Sequence, residues 1–231
     1  MSDRMLRSEE FCQKQPLLLE HLKAVLTYNQ TKNLTSISDL AAGKVLHIED
    51  SLAILPEVEK APSGALADLG SGAGYPGIPL ALATGRQTTL IEANKKKAAF
   101  LQGFVSDNDL ADQVTVTELR SEELAQTHAG SFAVVTARAV AELPVLLELA
   151  APLLSEGGHF VAMKGRPEES ELLRGNQAAE KLCFSLVSKR SYSLGDQENK
   201  QQRCVLVYEK RGQSSFTLPR RPGMAAKRPL A

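Results

Sequence analysis

One run of the chain, ADLGSGAGYPGIPLA at residues 67–81, sets a carboxylate and four glycines side by side. So many glycines are useful where backbone must approach another group closely. In one register Gly72, Gly74 and Gly77 spell G-x-G-x-x-G, the turn that lays a dinucleotide pyrophosphate on a helix N-terminus. In the other, Asp68, Gly70, Gly72 and Gly74 spell D-x-G-x-G-x-G, the turn of enzymes that use S-adenosylmethionine (SAM). Asp68 could accept from the cofactor's amino group, or it could only tie down the turn. Glu92 closes the next apolar run, where two carboxylate oxygens match the two hydroxyls of a ribose. NAD and SAM both carry that ribose, so Glu92 indicates a nucleoside without choosing between them.

Two later stretches bear on the reaction. In LRSEEL, Ser121 and Glu122 could flank an adenine, or the same residues could simply begin a helix. TARAVAELP, residues 136–144, falls where methyltransferases place the reacting group. It has neither the Asn/Asp-Pro-Pro-aromatic turn of exocyclic-amine enzymes nor the cysteine nucleophile of cytosine-C5 enzymes. Ribose 2′-O chemistry needs a base, commonly a lysine in a Lys-Asp-Lys-Glu set; Lys164 could be one member, but Arg138 stands where the aspartate belongs. Guanine N7 is the nucleic-acid acceptor that suits such a site, because its lone pair attacks without losing a proton. Catalysis then reduces to alignment, worth up to roughly 7–11 kcal/mol in ideal cases. N7 lies in the deep groove of A-form RNA, so the target guanine is expected in a loop or splayed out.

The elements that must position these residues follow from periodicity. Residues 8–58 read as helical, with Leu17, Leu18, Leu22, Val25 and Leu26 at helical spacing and the polar break NQTKNLTS before a second apolar stripe. From residue 65 short apolar strands alternate with helices, the pattern of a parallel sheet covered on both faces. Strands are expected at 65–69, 88–92, 114–118, 132–136 and 159–164, with helices at about 77–84, 95–107, 141–154 and 168–182. Two last strands, near 184–192 and 203–209, are joined by LGDQENKQQ, long enough for a hairpin and too short for a crossover helix. Five parallel strands and a terminal hairpin form the seven-stranded methyltransferase plan, which favours SAM over NAD. The chain thus divides into a helical extension (1–58), a SAM-binding α/β domain with a Rossmann-like sheet (59–211) and a basic Pro/Gly tail (212–231).

Lys+Arg and Asp+Glu both total 27, so no general affinity for polyanions follows. The basic residues are nevertheless clustered, at Lys95-Lys96-Lys97 and through the tail, where Arg220, Arg221, Lys227 and Arg228 have no acidic neighbour. Such runs are what a solvated surface carries, and they also suit an anionic partner. The tail has no periodicity, so disorder is one reading. It is expected to be unnecessary for stability and able to neutralise phosphates together with Lys164. Cys12, Cys183 and Cys204 stand apart without a C-x-x-C pair, which argues against a disulfide framework or a metal site. There is no leader-like apolar segment and no run of about 18 apolar residues. The expectation is a soluble, cytoplasmic protein with no membrane partner. Oligomeric state leaves no trace in the sequence.

The blocks YNQTKNLTSI, HIEDSLAIL, DLGSGAGYPGIPLA, NKKKAAFL, VVTARAVAELPVLLELAAPLL, GGHFVAMKG and LPRRPGMAAKRPL, in this order from about Leu22 to Leu230, resemble the bacterial small-subunit rRNA guanine-N7 methyltransferase family, once called glucose-inhibited division protein B. The resemblance implies a class I SAM-dependent methyltransferase fold and methylation of a loop guanine in 16S rRNA, free or in the small subunit. It implies cofactor contacts at Gly70, Tyr75, Ser121, Glu122 and Arg138. The sequence departs from the family at Tyr28, Tyr75 and Glu92, each keeping the size or charge of the usual residue. His47 and Asp50, in HIED, could line an RNA-facing rim; a structural pair that caps the helical lobe against the sheet is the favoured reading. An NAD-dependent oxidoreductase and a non-catalytic RNA-binding protein are the alternatives.

Overall fold

The computed structural model describes residues 9–195 and 200–231, with side chains from residue 14 onward. The chain opens with α1 (Glu9–Asn29), crosses a polar turn and re-enters helix at α2 (Leu40–Gly43). A wide π-helical segment, Lys44–Glu49, leads into α3 (Asp50–Leu52) and α4 (Leu55–Lys60). The α/β part then runs β1 (Leu66–Leu69), α5 (Gly77–Thr84), β2 (Thr88–Ile91), α6 (Lys95–Asp107), β3 (Val114–Thr117) and α7 (Ser121–Leu124). It continues through β4 (Phe132–Arg138), α8 (Leu143–Ala150), β5 (Leu154–Lys164), α9 (Glu169–Lys181), β6 (Phe184–Leu194) and β7 (Gln201–Lys210), and closes with α10 (Met224–Lys227).

The seven strands form one sheet in the order β3-β2-β1-β4-β5-β7-β6. β1 to β5 pair in parallel and β7 runs antiparallel to both β5 and β6, as the terminal hairpin required. Residues 196–199 of the hairpin connection lie outside the described residues. Strands buried on both faces read as near-continuous apolar runs because each face needs its own core. Leu66, Leu90, Val134, Val161 and Val207 point to the layer with Leu52, Ile54, Ile78 and Leu101. Ala67, Leu69, Val135, Phe160 and Tyr208 point to the layer with Leu143, Leu146, Leu147 and Leu182.

Some boundaries differ from the periodicity. The helix expected over 141–154 is confined to Leu143–Ala150, and Leu154 already belongs to β5. Ala139 holds a left-handed φ of 56°, which keeps the chain out of helix just after β4. The tail is not free of the fold. Leu218, Leu230 and Ala231 pack against the α8 layer, and Arg220 grips Glu148 of α8 through Nε at 2.6 Å and through Nη2. Of the readings of this segment, disorder is corrected: the tail is ordered against the α8 layer. A composition rich in Pro, Gly and cations carries no periodicity, but its few apolar residues and one arginine find partners from distant segments. Cys183 and Cys204 are free thiols, whereas the side chain of Cys12 lies outside those described.

Candidate active site

The turn after β1 separates its glycines by what surrounds them. Gly70, Gly72 and Gly74 have φ of 64°, 59° and 95°, where side chains are strained. A Cβ on Gly70 would strike Val140, and one on Gly74 would strike Ile78 and His21. At Gly77 it would collide with Leu90 and Asp68. On Gly72 it would meet only the Gly70 carbonyl, at 3.8 Å, and otherwise open space. Three of the glycines therefore serve packing, and Gly72 faces the place a ligand would take.

Both flanking acids are committed to this turn. Asp68 is fully buried; it accepts from Thr136 Oγ1 at 2.8 Å and from the Gly77 N–H at 3.1 Å. Burial pushes its carboxyl up to about 6, against the pull of those hydrogen bonds. Of its two sequence readings, tying down the turn is the one its partners satisfy. Glu92 is also buried, its Oε2 accepting from Gly72 N–H at 2.8 Å and its Oε1 from Asn94 N–H at 2.7 Å. Each oxygen keeps a further lone pair.

A cavity of about 600 Å³ opens beside Gly70–Ala73. Its other walls come from the helical lobe (Leu34–Ile37, His47, Asp50), from Arg138 and Ala139 after β4, and from Lys164, Gln201 and Arg203 at the ends of β5 and β7. Tyr75 forms the floor. It stacks on His47 with centroids 4.4 Å apart and planes 4° from parallel, and the Arg138 guanidinium lies 5.6 Å from its centroid. The Tyr75 hydroxyl is buried without a hydrogen-bond partner.

Arg138 leaves β4 and enters the lobe. It donates to the Leu46 carbonyl at 2.9 Å, to Asp50 Oδ2 at 3.3 Å and to His47 Nδ1 at 3.3 Å. The wide turn at Lys44–Glu49 holds both Leu46 and His47, and such irregular helix often aims groups at a site. Burial, helped by the Arg138 charge, lowers the His47 pKa to about 4. The ring is thus neutral at pH 7. A guanidinium can only donate, so Nδ1 is the acceptor and Nε2 carries the proton toward Thr35 Oγ1 at 3.1 Å. Asp50 joins more than one strand: Oδ2 also accepts from Arg203 Nε at 3.3 Å, and Oδ1 from the Tyr192 hydroxyl at 2.9 Å. His47 and Asp50 therefore do cap the lobe against the sheet, through Arg138 rather than through each other, while also lining the cavity.

The remaining sequence candidates fall in different places. Lys164 reaches the cavity wall, but its ammonium donates to Glu171 at 2.6 Å and to the Ala141 carbonyl at 2.9 Å. Ser121 and Glu122 are buried at the start of α7 and do not line the cavity; Glu122 Oε1 accepts from the Gly223 N–H at 2.8 Å. Arg220 is consumed by Glu148, whereas Arg221, Lys227 and Arg228 are exposed. Sequence reasoning missed Arg203, Tyr192 and the Glu57–Arg190 clamp, whose Oε1–Nε distance is 2.6 Å. Arg203, just ahead of the apolar run CVLVY, leaves a trace in the sequence, whereas Arg190 and Tyr192 sit in the polar stretch SKRSYS and leave none. Among the described residues no group of three His, Cys, Asp or Glu could hold a metal, and no helix is long and apolar enough to cross a membrane.

These residues fit a SAM-type nucleoside. Gly72, with open space beside it, and Tyr75 line one cavity, and Glu92, with lone pairs to spare, holds the Gly72 N–H next to it. The fold defines the class: it is that of the class I SAM-dependent methyltransferases. An O-methyltransferase from Bacillus cereus, solved in complex with SAH, superposes with a TM-score of 0.57 at 18% identity, covering 82% of this chain and 91% of that one. A putative sarcosine dimethylglycine methyltransferase from Galdieria sulphuraria gives 0.58 at 10% identity, over 82% and 98%. The family is narrower. Residues 14–201 match the family model GidB, rRNA small subunit methyltransferase G. Relatives called ribosomal RNA small subunit methyltransferase G include one from Desulfitobacterium hafniense, 34% identical over 89% of this chain and 85% of its own. Another, from Carboxydothermus hydrogenoformans, is 35% identical over 94% and 92%. The chain belongs to this family.

Proposed function

We propose that the protein transfers the methyl group of SAM to N7 of a loop guanine in 16S rRNA, in the cytoplasm, on the free RNA or the small subunit. The observation that carries the choice of N7 is the state of the polar side chains around the cavity. Lys164 is locked to Glu171, Arg138 is a donor only, His47 points its single acceptor at Arg138, and Asp50 is shared by two guanidinia and a phenol. None stands ready to take a proton, and N7 gives none up. Bound SAM would supply its methyl group as a sulfonium electrophile. Gly70–Ala73 and Glu92 are the residues proposed to hold the cofactor, with Tyr75 and Arg138 beneath it. Ser121 and Glu122 are assigned to the adenine side. The opposite wing of the cavity, Thr35–Ile37 with Gln201 and Arg203, is left for the target base.

Lys95, Lys96 and Lys97 support the RNA reading. They occupy the first turn of α6, where the helix dipole already concentrates positive charge and cations are unfavourable. Lys97 borders the cavity and Lys95 and Lys96 are exposed. Their placement suits phosphates better than it suits the helix. The test is transfer from labelled SAM to deproteinised small subunits, followed by chemical cleavage specific for 7-methylguanosine. The expected result is a single labelled guanine, lost in a folded Gly72→Val protein together with SAM binding. Label on a ribose, or no transfer to either deproteinised or intact small subunits, would refute the reading.

A further inference from the structure

We propose that the C-terminal tail holds the adenine side of the cofactor site in place through Glu122, which makes Arg220 a positioning residue for cofactor binding. The inference rests on the reading that the turn after β3 flanks the adenine. The sheet puts that turn beside Glu92: β3 pairs with β2 to the register Ile91↔Thr117, and the Glu92 N–H donates to the Thr117 carbonyl at 3.0 Å. Chain leaving β3 therefore starts next to the proposed ribose carboxylate and turns directly into α7.

α7 is a single turn, Ser121–Leu124. One turn of helix fixes several dihedrals for very few hydrogen bonds and does not persist alone. Its own support is the Glu123 carboxylate, which accepts from the Arg120 N–H at 2.8 Å. Leu124 and Ala125 anchor it in the core on the α8 side, and a hydrogen bond from the tail holds its Glu122. The Glu122 side chain is turned inward, taking Ser121 Oγ on one oxygen at 3.2 Å and the Gly223 N–H on the other at 2.8 Å. Gly223 sits at φ 78°, so the turn that aims this N–H relies on glycine.

Arg220 decides where Gly223 lies. Its guanidinium grips both oxygens of Glu148, a carboxylate only 3% exposed, and Nη2 also donates to the Arg228 carbonyl at 2.8 Å. One side chain thereby pins the tail to α8 and closes the loop around α10. A second anchor, Lys181 Nζ on the Leu230 carbonyl at 2.6 Å, holds the far end. Among the described residues no other hydrogen bond or ion pair ties residues 220–228 to α8, so without the Arg220 clamp only apolar packing at Ala225 remains there and the Gly223 N–H is no longer held on Glu122.

The test is calorimetric titration of S-adenosylhomocysteine into the full-length protein below its unfolding transition. R220A is expected to bind about tenfold more weakly, R220K within about threefold of wild type, and E122A/R220A no more weakly than E122A alone. Amide exchange at residues 118–124 accelerates in R220A while β1 and α5 keep their protection. Should R220A not fold, Gly223→Ala is the second variant: its Cβ meets open space but its φ is strained, so the same loss of affinity is expected in milder form. Unchanged affinity in a folded R220A or Gly223→Ala protein, whatever its melting temperature, would reduce the tail to a stabilising patch and overturn the proposal. If wild-type protein itself binds no S-adenosylhomocysteine, the cofactor reading has failed and the tail's role with it.

Discussion

The helical lobe and the C-terminal tail are docked by the same device used in opposite senses. In the lobe the carboxylates belong to the appendage, Asp50 and Glu57, and the guanidinia reach across from the sheet, Arg138 and Arg203 to the first and Arg190 to the second. In the tail the guanidinium belongs to the appendage, Arg220, and the carboxylate to α8. The consequence is electrostatic. Asp50 meets two arginines, so that junction keeps excess positive charge, and it keeps it on the cavity wall. Arg220 meets its one carboxylate on the α8 side, and its charge is used up there. Two guanidinia on one carboxylate leave a positive charge at Asp50, whereas Arg190 on Glu57 and Arg220 on Glu148 are each matched by a single carboxylate.

The sharpest way to break this comparison is at Asp50. Asp50→Ala leaves Arg138, Arg203 and the Tyr192 hydroxyl without their common acceptor in a largely buried junction. Removing one partner of a buried pair costs about 3–5 kcal/mol. Urea unfolding is expected to show a loss of that size, accompanied by weaker SAM binding because the lobe forms part of the cavity wall. Wild-type stability in this variant would mean that the lobe is held by its apolar contacts alone.

Acid separates the two appendages next. Burial lowers His21 to about 3, and burial with the Arg138 charge lowers His47 to about 4. Both rings stay neutral in the fold while the unfolded chain takes up protons near pH 6.5. Their contribution is complete above pH 6.5 and is lost as pH falls toward 4. Asp68, raised to about 6 by burial, works the other way over the same range. His47→Gln is expected to flatten the fall of the urea midpoint between pH 6.5 and 4. In wild-type protein the amides of α1 lose exchange protection before those of residues 218–230, since the tail contains no histidine.

The smallest effect belongs to the lysines at the start of α6. Lys95→Ala/Lys96→Ala removes two cations from the positive end of a helix, gaining up to about 0.5 kcal/mol in thermal unfolding. The same change lowers the slope of log affinity for rRNA against log salt by about 0.7 for each phosphate that is no longer neutralised. Stability and RNA binding moving in opposite directions is the signature of residues kept for a partner. An unchanged salt slope would assign them to ordinary surface.

The glycine turn, Glu92 and the succession of strands and helices along the chain were legible because each depends on residues close in sequence or on a period of two or of about 3.6. Gly72 and Glu92 were identified as neighbours of a nucleoside, and their hydrogen bond of 2.8 Å spans just the 20 residues of one βαβ unit. The resemblance to the family reached Tyr75 and Arg138, for which local pattern offered no cofactor role. Other features were hidden. Asp50 meets partners 88, 142 and 153 positions away, and nothing near HIED announces them. Glu122 and Gly223 are 101 positions apart, and Arg220 and Glu148 are 72 apart. The alternation of elements, the parallel sheet with its terminal hairpin and the glycine-rich turn after β1 are written in the chain itself, because local sterics and burial period leave few other solutions. Which carboxylate each arginine holds, and therefore which cations remain for RNA, emerges only once the chain is folded. An ion pair is selected by the positions of two side chains in space, and neither propensity nor period carries that information.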